Sequence, residues 1–141
     1  MGTKYLSDGP VSQMVISNLI EKIGEKTDSG GHMIFLGQVR ADIINGKVVR
    51  AIEYSAYESM VIVEVENIKK QILTQFGDVR SIDIIHSTGI VSAGELSLVV
   101  LVSAGHRLQA FQACSKTVEL IKDKLPVWKR EIFDDDSHIW K

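Results

Sequence analysis

The helix predicted over residues 106–124 ends in a turn whose lysines could do chemistry. Pro126 stops the helix, because proline lacks an N–H donor and disfavours a helical residue before it. At 100° per residue, Lys122 lies about 20° from Phe111, inside the predicted apolar stripe. A lysine that faces inward loses hydration, which lowers its pKa toward the range where a neutral amine can react. Lys122 is therefore a candidate catalytic residue, and Lys129 follows just past the proline.

A structural interpretation of Lys122 stays open beside the catalytic one. Lysines are common in the last turns of helices, where their charge complements the helix dipole. Their long side chains can also extend the charged group to water while the methylenes cover apolar surface. The spacing of Lys122 alone does not separate these two interpretations.

The start of the same helix carries groups that suit an anion. A helix N-terminus offers free backbone N–H groups and a partial positive charge. Arg107 adds a planar guanidinium suited to phosphate or carboxylate, and His106 can transfer a proton near neutral pH. Gly105 would allow the backbone to approach a ligand closely. The alternative is a solvated helix start with a surface arginine.

Arg40 ends a strand predicted over residues 33–40, where its side chain can face either a site or water. Gly37 inside that strand indicates a bulge or a close backbone approach.

One interpretation unites the cationic candidates as a local site for a small anion such as a phosphate ester. These candidates are Arg40, His106, Arg107, Lys122 and Lys129.

Composition excludes several classes of protein. The chain has 141 residues and a formal net charge of −2, so broad attraction to nucleic acid or to membranes is not expected. No apolar run approaches the roughly 18 residues of a membrane span, and no apolar secretion segment opens the chain. We expect one domain, residues 1–141, because no repeat, low-complexity tract or long linker interrupts it.

Cysteine and histidine usage argues against a metal site. The single Cys114 excludes an internal disulfide and fits a reducing cytoplasm, where we expect the protein to act. The four histidines show no spacing typical of zinc, so we predict no metal and no cofactor. The acidic run at residues 134–136 is predicted to be a solvated turn.

Periodicity and turn residues predict the element order α-β-β-α-β-β-α-β. Helices are predicted over residues 12–24, 58–75 and 106–124. Strands are predicted over residues 33–40, 47–57, 79–87, 95–103 and 127–133, with a short piece near 139–140. Asn45-Gly46 is a strong hairpin signal, and residues 47–57 are predicted to be the return strand. Hairpins mixed with helices favour an α+β domain with a mainly antiparallel sheet.

Four short motifs, in this order, resemble the large, catalytic subunit of molybdopterin synthase. The resemblance extends from about residue 31 to residue 140, while residues 1–30 match weakly. The motifs are Phe35-Leu-Gly-Gln-Val-Arg40, Ile52-Glu-Tyr-Ser-Ala-Tyr57 with Met60, His106-Arg107, and Pro126-Val-Trp-Lys-Arg-Glu131. One departure is Gly105, which stands where the family pattern is expected to have a residue such as alanine.

The resemblance implies an activity and partners that spacing does not show. It implies transfer of sulfur to a cyclic pyranopterin monophosphate, which forms the dithiolene of molybdopterin in molybdenum cofactor biosynthesis. The sulfur donor would be the C-terminal Gly-Gly thiocarboxylate of a small ubiquitin-like carrier subunit. Two large subunits would form a homodimer within a heterotetramer. The implied fold is α/β hammerhead-like with an added antiparallel sheet.

The resemblance also implies roles for the cationic candidates. Lys122 looks like the essential lysine beside the carrier terminus, and Lys129 like a second active-site lysine. Arg40, His106 and Arg107 look like residues that line the pocket for the pterin and its phosphate.

Two other functions remain open from the sequence. A non-catalytic regulatory module could bind an anionic ligand without needing Lys122. A thiol enzyme could use Cys114, although a cysteine on an apolar helix stripe favours a buried, inert thiol.

Overall fold

Strongly apolar strands form one mixed sheet beneath two of the three helices of this chain. The computed structural model describes residues 4–140; residues 1–3 and 141 of the predicted domain lie outside that range. The elements in chain order are β1 (Leu6–Asp8), α1 (Gln13–Ile23), β2 (Gly31–Gln38), β3 (Ile43–Ile44), β4 (Lys47–Ala56), α2 (Glu58–Gln75), β5 (Val79–Ser92), β6 (Leu96–Ala104), α3 (Arg107–Lys124), β7 (Val127–Phe133) and β8 (His138–Trp140).

The sheet is almost entirely antiparallel, which confirms the predicted α+β class. Its strand order is β2-β6-β5-β4-β7-β8, and β3 adds to β4. The short β1 pairs with β5 and is parallel to it. β5 is long enough to pair with β6 through its first half and with β4 through its end. This shared strand joins the two halves of the sheet.

The predicted hairpin pairing differs from the structure. The Asn45-Gly46 turn does form a hairpin, with positive φ at both residues, but it joins β4 to the two-residue β3. The strand predicted over residues 33–40 is β2, and it pairs with β6 rather than with β4. Local turn residues identified the hairpin correctly, but they carry no information about which distant strand borders β2.

Helices α2 and α3 cover one face of the sheet and form the main core with it. The largest fully buried side chains of α2 lie one helical turn apart and include Ile68 and Ile72. They pack with β5 and β6, whose buried residues include Ile84 and Val100. A second cluster, around Val39, Val49, Ile52, Tyr54, Val91 and Phe133, lies where β4 meets β5 and β7.

The buried face of α3 lies away from the predicted stripe. Its buried residues are Ala110, Ala113, Cys114, Thr117, Leu120 and Ile121, whereas Phe111 is exposed. Lys122 consequently lies roughly 140° around the helix from the centre of the buried face. The prediction that Lys122 faces inward and loses hydration is therefore wrong for this chain, where Lys122 is exposed.

Other local predictions have mixed outcomes: the short strands β1 and β3 were missed and β5 extends beyond its predicted end at residue 87, but the signals at Gly37 and at residues 134–136 are confirmed. Gly37 marks a register irregularity between β2 and β6, and residues 134–136 form an exposed turn. None of the helices within residues 4–140 is long and apolar enough to cross a membrane.

We expect Ile68→Ala to lower the free energy of unfolding by about 2–5 kcal/mol, because Ile68 is 1% exposed and its loss leaves a cavity. The matched control is Val63→Ala on the same helix, where the side chain is 60% exposed and the cost should stay near 0.5 kcal/mol. Urea unfolding measures both. An equal loss of unfolding free energy in the two variants would contradict the assignment of the buried face of α2.

Candidate active site

A cleft of about 350 Å³ lies between the end of β2, the last turn of α3 and strand β7. Three predicted cationic residues line it: Arg40, Lys122 and Lys129. Two carboxylates, Asp42 and Glu131, line it as well. The structure therefore brings together cations from three separate segments of the chain, in a concave site of the size that small ligands occupy.

The break at Pro126 brings the two lysines to the same cleft. Leu125 ends α3 in an extended conformation, and its carbonyl accepts a hydrogen bond from Val127 N–H at 2.8 Å. The chain then turns directly into β7, where Lys129 lies opposite Tyr54 of β4. Lys122 at the helix end and Lys129 in the strand thus approach the cleft from two directions.

Arg40 lies at the rim of the cleft, just after the irregular end of β2. Val39 is buried in the second core cluster, which fixes the backbone next to Arg40. The Arg40 side chain is 84% exposed, and its Nε donates to Asp42 Oδ1 at 2.5 Å. An exposed ion pair of this kind contributes little to stability, so Arg40 can turn to an anionic ligand at low cost.

His106 and Arg107 lie at the other end of α3. Arg107 and Lys122 are 15 residues apart on one helix, so their backbones are roughly 22 Å apart along its axis. Neither His106 nor Arg107 lines the cleft. Within one chain, therefore, the structure joins Arg40, Lys122 and Lys129 but leaves His106 and Arg107 at a distance.

Asp78 holds the start of α3 in place. Its carboxylate accepts from His106 N–H at 2.7 Å and lies 3.2 Å from His106 Nδ1. Burial alone would raise the pKa of Asp78, but the hydrogen bonds from His106 and the charges of His106 and Arg80 lower it. A Cβ on Gly105 would lie 2.5 Å from Asp78 Oδ1. Gly105 is therefore explained by packing against Asp78, rather than by the approach of a ligand.

Polar residues without a role in the sequence prediction form part of the cleft. Tyr54, His86, Ser97 and Glu131 line it, and His86, Ser97 and Glu131 are all buried. A signal for one of them was present in the sequence, because Ser97 interrupts the apolar start of β6. In the described part of the chain, no three His, Cys, Asp or Glu side chains are grouped so that they could hold a metal ion.

The chain is similar in sequence to known proteins over most of its length. The family described as MoaE protein matches residues 7–124. The molybdopterin synthase catalytic subunit of Dictyostelium discoideum is 38% identical over 134 residues, which cover 93% of this chain and 84% of that protein. The molybdopterin synthase catalytic subunit of Pyrococcus abyssi is 42% identical over 114 residues, covering 81% of this chain and 75% of that protein.

Solved structures show the same fold. Molybdopterin synthase from Staphylococcus aureus superimposes with a TM-score of 0.83 and 25% identity, covering 100% of this chain and 98% of that chain. The complex of subunits 1 and 2 of molybdopterin-converting factor from Helicobacter pylori gives a TM-score of 0.79 and 18% identity, covering 96% and 88%. With the family match over most of its length and the curated relatives at 38% and 42% identity, this chain belongs to the MoaE family of molybdopterin synthase catalytic subunits.

Proposed function

We propose that this enzyme transfers sulfur from the C-terminal thiocarboxylate of a small carrier protein to a cyclic pyranopterin monophosphate. In each transfer the carbon–sulfur bond of the thiocarboxylate breaks, a carbon–sulfur bond to the pterin precursor forms, and a carbon–oxygen bond at the same precursor carbon breaks, so that sulfur replaces oxygen there. The carrier's terminal carbon takes up water and becomes a carboxylate. Two such transfers supply the dithiolene of molybdopterin. The observation that carries the proposal is the cleft in a MoaE-family chain that gathers Arg40, Lys122 and Lys129.

Charge and shape support the entry of two anionic ligands into this cleft. A thiocarboxylate and a phosphate ester both carry negative charge, and lysine and arginine bind such groups through charge-assisted hydrogen bonds. Lys122 is exposed at the cleft, so an incoming carrier tail can reach it. A carrier partner is also supported by the Helicobacter pylori neighbour, which is a complex of two subunits.

We assign the three cleft cations separate roles in this reaction. Lys122 contacts the thiocarboxylate and assists proton transfer as the sulfur leaves. Lys129 stabilises the negative charge that develops on the reacting atoms, an effect that a preorganised cation in a cleft supplies well. Arg40 exchanges its ion pair with Asp42 for the phosphate of the precursor.

A homodimer would give His106 and Arg107 a place in the same site. One chain keeps them roughly 22 Å from Lys122 along α3, so they can line an occupied cleft only if a second copy supplies them. Leu108 and Phe111, next to them on the helix, are exposed apolar side chains that a second copy could cover. We therefore propose a dimer of this chain with one carrier on each copy, acting in the cytoplasm.

Replacing Lys122 tests the reaction most directly. With purified pterin precursor and thiocarboxylated carrier, Lys122→Ala should lower the rate of product formation by about 100-fold or more, because a transition-state contact is lost. Lys124→Ala is the matched control, since Lys124 is exposed in the same turn but does not line the cleft. Absence of product with the wild type would reject the synthase proposal and favour a regulatory, anion-binding module. Full activity of Lys122→Ala would reject only the role of Lys122.

Mixing two inactive variants tests whether the site is shared between copies. Lys122→Ala and Arg107→Ala should each be inactive alone. After mild dissociation and reassociation in equal amounts, about a quarter of the sites should regain both intact residues, because half of the dimers are mixed and each holds one complete site. Recovery of that activity would support a shared site. No recovery, with mixed dimers shown by mass spectrometry, would contradict it.

Cys114 should be dispensable, in contrast to a thiol enzyme. Its side chain is 4% exposed, and burial raises the pKa of the thiol to about 11. At pH 8 about one such thiol in a thousand is ionised, so reaction with Ellman's reagent should be far slower in the folded protein than in urea. Cys114→Ala should keep the wild-type rate of product formation. Loss of activity in a folded Cys114→Ala variant would show that the thiol takes part in the reaction.

A further inference from the structure

One oxygen atom of Asp78 holds both the backbone and the ring of His106. Asp78 Oδ2 accepts a hydrogen bond from His106 N–H at 2.7 Å and lies 3.2 Å from His106 Nδ1. Because both nitrogens belong to one residue, this oxygen ties the imidazole to its own backbone and restricts its rotation. His106 therefore has a fixed orientation, although its side chain is 89% exposed.

The contact with Asp78 decides which ring nitrogen of His106 faces outward. Burial would raise the pKa of Asp78, but the hydrogen bonds from His106 and the charges of His106 and Arg80 lower it, so the carboxylate is ionised near pH 7. An ionised carboxylate only accepts hydrogen bonds, so Nδ1 must carry a hydrogen. Nε2 is consequently the nitrogen that a substrate can meet, as an acceptor in the neutral ring and as a donor in the protonated ring.

Asp78 is itself fixed by the elements on either side of it. Its N–H donates to Gln109 Oε1 at 2.8 Å, and its carbonyl oxygen accepts from Gly105 N–H at 3.0 Å. Its Oδ1 lies 3.7 Å from a terminal nitrogen of Arg80, the second residue of β5. Asp78 is thus bound to the first turn of α3 and to the start of β5, which makes it a rigid support for His106.

Glycines leave room for this close packing. A Cβ at Gly105 would lie 2.5 Å from Asp78 Oδ1, and a Cβ at Gly31 would lie 3.1 Å from Arg107 Cα. Gly105 does not have a positive φ, so its backbone conformation does not by itself demand glycine. The space that the Asp78 carboxylate needs beside His106 explains the glycine instead.

A fixed Nε2 suits a residue that contacts a substrate. An exposed pair such as Asp78 and His106 contributes little to stability, so stability does not account for the restricted ring. A carboxylate on one nitrogen of an imidazole sets both the tautomer and the direction of the other nitrogen, as in hydrolytic triads. The proposed function places His106 in a site shared by two copies, and Asp78 lies behind it, outside the cleft of its own chain.

We propose that Asp78 is a positioning residue of this enzyme, which holds Nδ1 of His106 so that Nε2 points to the substrate in the shared site. This role rests on the proposed function. Asp78 acts only through His106 and does not contact the substrate.

Two replacements remove the contact by different means. Asp78→Ala deletes the acceptor, whereas Gly105→Ala places a methyl group against Asp78 Oδ1. Each should lower kcat/KM for the pterin precursor by about 3- to 10-fold, the effect of one lost hydrogen bond. Asp78→Asn keeps an acceptor oxygen and should stay closer to the wild type. Gly77→Ala is the matched control and should keep the wild-type rate, because a Cβ there would meet no atom within 4 Å beyond its chain neighbours.

A double-mutant cycle separates the positioning role from a purely structural one. His106→Ala alone should lower kcat/KM for the pterin precursor. Addition of Asp78→Ala to that variant should cause no further loss, because Asp78 acts only through His106. A further fall of about 3-fold or more in the folded double variant would show a structural role and overturn the proposal. Full activity of His106→Ala would also overturn it.

Nitrogen-15 NMR of the His106 imidazole tests the contact without any turnover. In the neutral ring, observed at high pH, Nδ1 should carry the hydrogen in the wild type. In Asp78→Ala the hydrogen should move to Nε2, because the hydrogen bond that selects Nδ1 is lost. A hydrogen on Nε2 of the wild type would overturn the proposal even if the enzyme makes product. A hydrogen on Nδ1 that depends on Asp78 would support the positioning of His106, and a failure to make product would then reject the synthase reaction alone.

Discussion

The cleft depends on one constraint, the pairing of β4 with β5 along one edge and with β7 along the other. Antiparallel pairing sets side chains of neighbouring strands opposite one another on the same face. Tyr54 of β4 is therefore held beside Lys129 of β7, and the ring of Tyr54 meets the imidazole of His86 from the middle of β5 edge to face. A register slip of one residue between β4 and β7 would turn Tyr54 to the other face of the sheet, away from Lys129. The second core cluster, which includes Tyr54, resists such a slip.

The sheet brings residues together, whereas helix α3 keeps the residues at its two ends apart. Eighteen residues of regular helix form a rigid spacer, with Arg107 at one end and Lys122 near the other. The packing of Ala110, Ala113 and Thr117 against the sheet prevents the helix from bending to bring these residues together. Under the proposed roles, a complete site takes one end of α3 from each of two copies, which couples the reaction to oligomer formation.

The sequence predicted local elements well where local physics decides them. The predicted bounds of α2 and β7 match the structure, because Gly77 follows the helix and Pro126 precedes the strand. The Asn45-Gly46 turn was identified because few other residues adopt positive φ at both positions. The partner of β2 and the rotation of α3 were missed. The neighbour of a strand depends on contacts between residues far apart in sequence, which turn residues do not reveal. The predicted apolar stripe of α3 was misplaced because it was centred near Phe111, which is apolar but exposed.

The sequence indicated the cationic residues of the candidate site but not its buried polar residues. Arg40, Lys122 and Lys129 stand out in the sequence because cations near turns attract a functional interpretation. Buried polar residues such as His86 and Ser97 give a weaker signal, since an isolated polar residue in an apolar strand can equally be satisfied within the core. Only the three-dimensional arrangement distinguishes these cases, because it shows which buried polar residues line a cleft. In this cleft, the cations come from residues visible in the sequence, while the buried polar residues His86, Ser97 and Glu131 come from the strands of the sheet.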